Sequence, residues 1–179
     1  MLNKAVFLDS DGVLNTAVIK DGKPVAPTSV NDLEIPEEVR PALEHLKAAG
    51  YILICVTNKP DIERGRMTQA DVDAIYAKMR RELPLDEVLI CYKENSPCYK
   101  PNPGMLLEGQ HKYALELSQS YIIGDRWKDI AAGKNAGCKT IWINRGYKEM
   151  QPDPPADYTA LSLAEAVQWI VPSTSTNPV

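Results

Sequence analysis

Five short apolar runs, separated by stretches of helical spacing, constrain this chain more than any other feature. They are Ala5–Leu8, Tyr51–Val56, Glu87–Ile90, Tyr121–Ile123 and Thr140–Ile143. Each is too short and too uniformly apolar for a strand with one wet face, so each reads as a strand buried on both faces. Between the first two runs, Val39, Ala42, Leu43, Leu46 and Ala49 follow a helical period, opened by Pro36-Glu37-Glu38 and stopped by Gly50. Pro41 predicts a late or distorted start for this helix. Thr68–Leu83 reads as a second helix, with Thr68 and Asp71 spaced as a capping box. Met105–Leu117, Lys128–Ala136 and Leu163–Ile170 read as three more. Strands alternating with helices predict an α/β fold: a Rossmann-like three-layer α/β/α sandwich around a central parallel sheet. The 179 residues suit a single domain, placed at 1–171, with the Ser/Thr/Pro-rich stretch 172–179 expected as a flexible tail.

Two segments break the rhythm. After the first strand, Val18-Ile19 and Pro24-Val25 flank Lys20-Asp21-Gly22-Lys23, a hairpin signal through Asp-Gly. Tyr92–Pro103, after the third strand, is polar and carries three prolines. Loops that follow parallel strands gather at the carboxyl edge of the sheet, where open α/β folds bind ligands.

That edge receives an unusual set of side chains. Phe7-Leu8-Asp9-Ser10-Asp11-Gly12-Val13 places two carboxylates two residues apart at the end of a buried strand. Such a pair repels itself unless it shares a proton or binds a cation. Mg²⁺ suits it, because it takes few protein carboxylates and completes its shell with water and phosphate oxygens. One aspartate can then attack phosphorus while the other handles the leaving group's proton. Asp-x-Asp-Gly alone is equally a plain turn. Here it is joined by Thr57 and Asn58 at the end of the second strand, and by Lys100 in the loop after the third. Asp125 and Asp129 follow the fourth. Nucleophile, proton shuttle, phosphate donors, counter-charge and metal ligands together make a kit for phosphoryl transfer.

The motifs resemble those of the haloacid dehalogenase superfamily, and within it the histidinol-phosphate and heptose-bisphosphate phosphatase branch (subfamily IIIA). The resemblance is carried by Asp9-Ser10-Asp11-Gly12-Val13-Leu14-Asn15, Val56-Thr57-Asn58 with Ile62 to Gly65, Lys100-Pro101-Asn102-Pro103-Gly104-Met105, and Gly124-Asp125 with Asp129, Ala132-Gly133 and Ala136-Gly137. It covers the chain to about Gly146. It implies that Asp9 is the nucleophile that becomes an aspartyl-phosphate. Asp11 would be the general acid/base and lend its carbonyl to the metal, and Thr57 and Lys100 would bind the phosphoryl group with Asn58 nearby. Asp125 would anchor Mg²⁺, and Asp129 would ligate it directly, bind through water, or only cap its helix. The implied activity is hydrolysis of a phosphomonoester, such as D-glycero-D-manno-heptose 1,7-bisphosphate. Histidinol phosphate and a broad small-molecule range are the alternatives, and a catalytically silent binding module of the same fold is the reading from another class.

The sequence departs from that branch in three places. Many members carry a zinc loop of three cysteines and a histidine before the lysine; here Cys91–Lys100 is short and offers only Cys91 and Cys98. Two thiols do not close a tetrahedral site, so structural zinc is not expected and both are read as packing thiols. Tyr99 and Ser10 stand where arginines are common. Arg64, Arg126, Lys59 and Arg145 are candidates to replace the lost phosphate donor, with a surface charge as the default reading of each. There is also no room for a large lid, so a capless or minimally capped site is expected, shaped by the 15–36 hairpin segment and the 92–102 loop.

The formal charge of −4 argues against nucleic acid as a partner, and no apolar stretch is long enough to span a bilayer. Met1-Leu2-Asn3-Lys4 does not read as a signal peptide, so a cytoplasmic location without a disulfide framework is expected. The expected partner is a phosphorylated small molecule, for a monomer or small homo-oligomer.

Overall fold

The computed structural model describes residues 2–172, so all but the first position of the expected tail lies outside the described residues. Six strands form one parallel sheet: β1 (Ala5–Leu8), β4 (Ile52–Asn58), β5 (Glu87–Cys91), β6 (Tyr121–Gly124), β7 (Lys139–Ile143) and β8 (Tyr158–Ala160). Their order is β5-β4-β1-β6-β7-β8. The chain moves outward from β1 through β4 to β5, then returns to β6 on the other flank of β1. This is the doubly wound order, and its switch point lies between β1 and β6, where such sheets open a crevice at their carboxyl ends. The hairpin β2 (Val18–Lys20) and β3 (Lys23–Val25) forms a separate antiparallel pair. Its turn residues Asp21 and Gly22 both have positive φ, as a two-residue hairpin turn requires.

Side-chain alternation along the strands builds the two outer layers. Val6 and Leu8 pack with Leu53 and Cys55 against α1 (Val39–Ala48), α2 (Gln69–Glu82) and α5 (Leu163–Ile170). Ala5 and Phe7 pack with Ile54 and Val56 against α3 (Gly104–Tyr113) on the other face. There α4 (Trp127–Ala136) lies beside α3. All of β1 and β6 is buried, as their uninterrupted apolar runs require.

Most expected elements are present, with three differences of detail. Pro41 falls in the first turn of α1, where its missing N–H has no intrahelical partner to lose, so the helix forms from Val39. The third expected helix stops at Tyr113, because Ala114 takes a left-handed conformation. The chain then turns to bury Leu115 and Leu117. The capping box of α2 forms, with Thr68 and Asp71 each accepting from the other's backbone N–H. The edge strand β8 carries no signal in the sequence, since its three residues are too few to show a period. No helix among the described residues is long and apolar enough to cross a membrane.

Candidate active site

The crevice at the switch point is walled by the ends of β1, β4 and β6 and by the loop after β5. β1 runs out at Leu8, and its alternation continues into the next two residues. Asp9 turns to the α3/α4 side and Ser10 to the α2 side, where its hydroxyl lies 3.0 Å from both Thr57 Oγ1 and Tyr76 Oη. Val13, Leu14 and Asn15 all donate their N–H groups to the Ser10 carbonyl, which curls the chain tightly around Asp11 and Gly12. Gly12 sits at φ +87°, and a Cβ there would collide with the Asp125 carboxylate. Only glycine meets both demands.

β4 delivers by the same alternation. Thr57 and Lys59 face the α2 side with Cys55, while Asn58 faces the loop after β5. The Asn58 side chain grips that loop at both ends of its amide: Nδ2 donates to the Lys100 carbonyl at 3.0 Å, and Oδ1 accepts from the Lys100 N–H at 3.0 Å. With its backbone fixed, Lys100 reaches inward. Its buried ammonium donates to Asp9 Oδ1 at 2.7 Å, Asp129 Oδ1 at 2.6 Å and the Val56 carbonyl at 2.8 Å. All three donors are used, which is what a desolvated ammonium requires.

β6 ends at Gly124, where a Cβ would overlap the Asp129 side chain, so a bare backbone lets the first turn of α4 close down on the sheet. Asp129 Oδ2 accepts from the Arg126 N–H at 3.1 Å and caps α4. Asp125 is buried, and its Oδ2 accepts from the Tyr147 hydroxyl at 2.6 Å, while Oδ1 has no protein partner. One oxygen from each of Asp9, Asp125 and Asp129 lies within 4.8 Å of the others. The four carboxylates of Asp9, Asp11, Asp125 and Asp129 face two ammonium groups, Lys59 and Lys100, which leaves two negative charges in excess. An orphaned buried oxygen in a convergent, net-anionic set of hard ligands fits a hard divalent cation.

The same crowding shifts the titration of the acids. Asp9 is pushed up to about 6, first by burial and next by Asp129, with Lys100 opposing. Asp125 is raised well above its ordinary value by burial, then by Asp9 and Asp129. Lys100 is held above the ordinary lysine value: burial works against its charge, and Asp129 and Asp9 outweigh it.

A cleft of about 280 Å³ opens over these groups, lined by Asp9, Asp11, Thr57, Asn58, Lys100 and Asp129 at its floor. Arg64, Arg66, Arg126, Lys128 and Asp61 line its walls, and Pro24–Ala26 bring the end of the hairpin to its mouth. The side chains expected from the sequence therefore meet: Asp125 joins the acidic cluster, and the other six line the cleft.

Two expectations change. Lys59 is not a surface charge: it is fully buried, with Nζ 2.5 Å from Asp11 Oδ2. Its position after β4 and before Pro60 extends the strand by one residue, and a pre-proline residue favours that extended backbone; this was the overlooked signal. Arg145 is exposed, as a surface charge would be, and its Nε and Nη2 donate to the Gly12 carbonyl at 3.1 and 2.9 Å and brace the turn beside Asp11. Cys91 and Cys98 are not separate packing thiols: they form a disulfide that closes the base of the loop leading to Lys100. Their Cα atoms, 5.7 Å apart, are within bridging range because the loop doubles back on β5. Arg64 pairs with Glu94, and Arg126 with Glu149, at the cleft wall. Tyr147 was missed, since it lies in an irregular segment after β7 with no motif around it.

Comparison with known proteins agrees with this geometry. A family model described as HAD-hydrolase-like matches residues 97–166. A D-glycero-β-D-manno-heptose-1,7-bisphosphate 7-phosphatase of Helicobacter pylori (strain ATCC 700392 / 26695) is 34% identical over 146 residues, which cover 76% of this chain and 81% of that protein. The enzyme of the same name from Escherichia coli (strain K12) is 30% identical over 183 residues, covering 93% of each chain. Among solved structures, the D,D-heptose 1,7-bisphosphate phosphatase of B. bronchiseptica, complexed with magnesium and phosphate, superposes with a TM-score of 0.77. It is 24% identical and covers 93% of this chain and 97% of its own, a likeness of fold. Doubly wound sheet, four motifs in order and relatives over nearly the full length converge: the chain belongs to the haloacid dehalogenase superfamily, in the phosphatase branch of these relatives.

Proposed function

We propose that the chain is a magnesium-dependent phosphomonoesterase that works through an aspartyl-phosphate on Asp9, with a sugar phosphate of the heptose 1,7-bisphosphate type as substrate. The observation that carries this reading is the Asp9 carboxylate, buried at the end of β1 and held at 2.7 Å by the Lys100 ammonium. A carboxylate so fixed, with Oδ2 uncommitted to Lys100, is a preorganised nucleophile. Asp9, the Asp11 carbonyl and Asp125 would hold Mg²⁺, with Asp129 beside them. When bound, the ion offsets the repulsion between the attacking carboxylate and the phosphoryl oxygens.

The chain's own residues account for the rest. Thr57 binds the transferring phosphoryl group, the Lys100 ammonium offsets its charge from beside Asp9, and Asn58 sets the lysine's place by fixing its backbone. Asp9 attacks phosphorus as the ester P–O bond breaks, and Asp11 gives its proton to the departing alkoxide. In the second half, Asp11 takes a proton from water as that water attacks phosphorus, which releases phosphate and restores Asp9. Lys128, a cation of the cleft wall with no carboxylate partner among the described residues, is placed to meet a substrate anion. The named activities of the relatives point to a heptose bisphosphate.

Phosphate release, measured with Mg²⁺ over a panel of heptose bisphosphate, other phosphosugars, histidinol phosphate and nucleotides, tests the proposal. The highest kcat/KM is expected for the heptose bisphosphate. A maximum on histidinol phosphate would change the substrate, and no release from any of them would leave the silent-module reading.

A further inference from the structure

Lys59 has no part in the steps above, yet it is the chain's most fully buried cation among the described residues, at 0% exposure. Burying an ammonium is costly, and an apolar side chain of similar volume would fill the same space better. What the cation adds is a fixed hydrogen bond. Nζ lies 2.5 Å from Asp11 Oδ2, and on the other side Asn15 Nδ2 donates to Asp11 Oδ1 at 3.0 Å. Asp11 is thus gripped at both oxygens while its side chain keeps 19% exposure at the cleft. Lys59 itself is fixed: its N–H donates to the Cys91 carbonyl at 2.8 Å, and its ammonium lies 5.9 Å from the centre of the Tyr76 ring.

We propose that Lys59 is a positioning residue for Asp11, holding its carboxyl group at the cleft wall in the orientation that serves the leaving group. The inference rests on the acid–base reading of Asp11 given above. A lysine donates to a carboxyl oxygen whether or not the other oxygen carries the proton, so the grip persists through the cycle. Each gripped oxygen keeps a further lone-pair direction for the leaving-group oxygen or the attacking water. The proton path is unchanged: Asp11 to alkoxide, then water to Asp11, with Lys59 remaining an ammonium throughout.

The test compares a sugar phosphate, whose alkoxide needs a proton to leave, with p-nitrophenyl phosphate, whose phenolate leaves without one. kcat/KM reports the steps up to phosphoryl transfer onto Asp9, and is measured for wild type, Lys59→Met, Asp11→Asn and the double variant. Lys59→Met is expected to lower kcat/KM on the sugar phosphate about tenfold more than on p-nitrophenyl phosphate. In the Asp11→Asn background the same change is expected to cost less than about twofold, because residues acting as a unit are non-additive. Equal losses on both substrates, or a full further loss in the Asp11→Asn background, would overturn the proposal. If Lys59→Met alone does not fold, the double variant, which removes both charges of the pair, still decides through its comparison with Asp11→Asn. If Asp11→Asn leaves sugar-phosphate turnover intact, the acid–base reading falls and this inference with it; if only Lys59→Met is without effect, this inference falls alone.

Discussion

The Lys100 ammonium bridges Asp9 and Asp129, at 2.7 and 2.6 Å, so the proposed nucleophile and the cap of α4 share one counter-charge. Removing that charge leaves two buried carboxylates facing each other. Lys100→Met is expected to lower kcat by more than about a hundredfold. Without Mg²⁺ it is expected to destabilise the fold by about 3–5 kcal/mol, the usual cost of orphaning a buried charge. Steady-state kinetics and denaturant titration check the two effects separately.

Asn58 acts one step further out. Its two hydrogen bonds fix the Lys100 backbone, and no other side chain is bonded to that backbone among the described residues. Asn58→Ala is expected to cost about 1–2 kcal/mol of stability. Activity is expected to fall about tenfold through kcat, because a modest displacement of Lys100 misaligns the phosphoryl group. A loss confined to KM would instead mean that Asn58 binds substrate directly.

The protonation of Asp9 predicts how metal binding responds to pH. Burial raises the folded value from 3.8 to about 6, so between these limits the folded, metal-free protein binds more protons than the unfolded chain. Asp9's contribution therefore favours the metal-free fold at the acid end of this window, and is lost as pH rises through about 6. Mg²⁺ needs the ionised forms of Asp9 and Asp125, so its affinity should rise with pH across the same interval, by at least about tenfold between pH 5 and 7 from Asp9. Calorimetric titration of Mg²⁺ at several pH values gives the slope, and Asp9→Asn should reduce it, with the remainder set by Asp125.

Gly12 allows the turn after β1 to pass under Asp125. Gly12→Ala adds a methyl group where the Asp125 carboxylate lies, on a backbone with φ of +87°. The Asp125 side chain must then move, and the expected result is a weakening of Mg²⁺ affinity by at least about tenfold, with about 1–3 kcal/mol of backbone strain. Metal titration and thermal melting of the variant read both.

How much of this was legible beforehand follows from the range of the interactions. The apolar runs Ala5–Leu8 and Tyr121–Ile123 announce buried strands because local pattern alone determines them. Asp9, Thr57, Lys100 and Asp125 were found because each sits at, or in the loop just after, such a run, and parallel strands bring those ends to one edge. Lys59 was misplaced because its charge suggested solvent, whereas strand alternation past Asn58 already assigned it to the Thr57 side. Tyr147 and the Arg145 clamp on Gly12 could not be read, since they depend on where an irregular segment returns across the sheet. The Cys91–Cys98 bond was hidden for the same reason: loop geometry, not spacing, brings the two sulfurs together.

The central claim is that Asp9 carries the phosphoryl group. Acid quenching during turnover of a phosphosugar, followed by peptide mass spectrometry, tests it directly. A single phosphoryl group on the peptide Ala5–Lys20, localised to Asp9 by fragmentation and absent in Asp9→Asn, is the predicted result. Undiminished phosphate release by Asp9→Asn, or a label on any other residue, would contradict it.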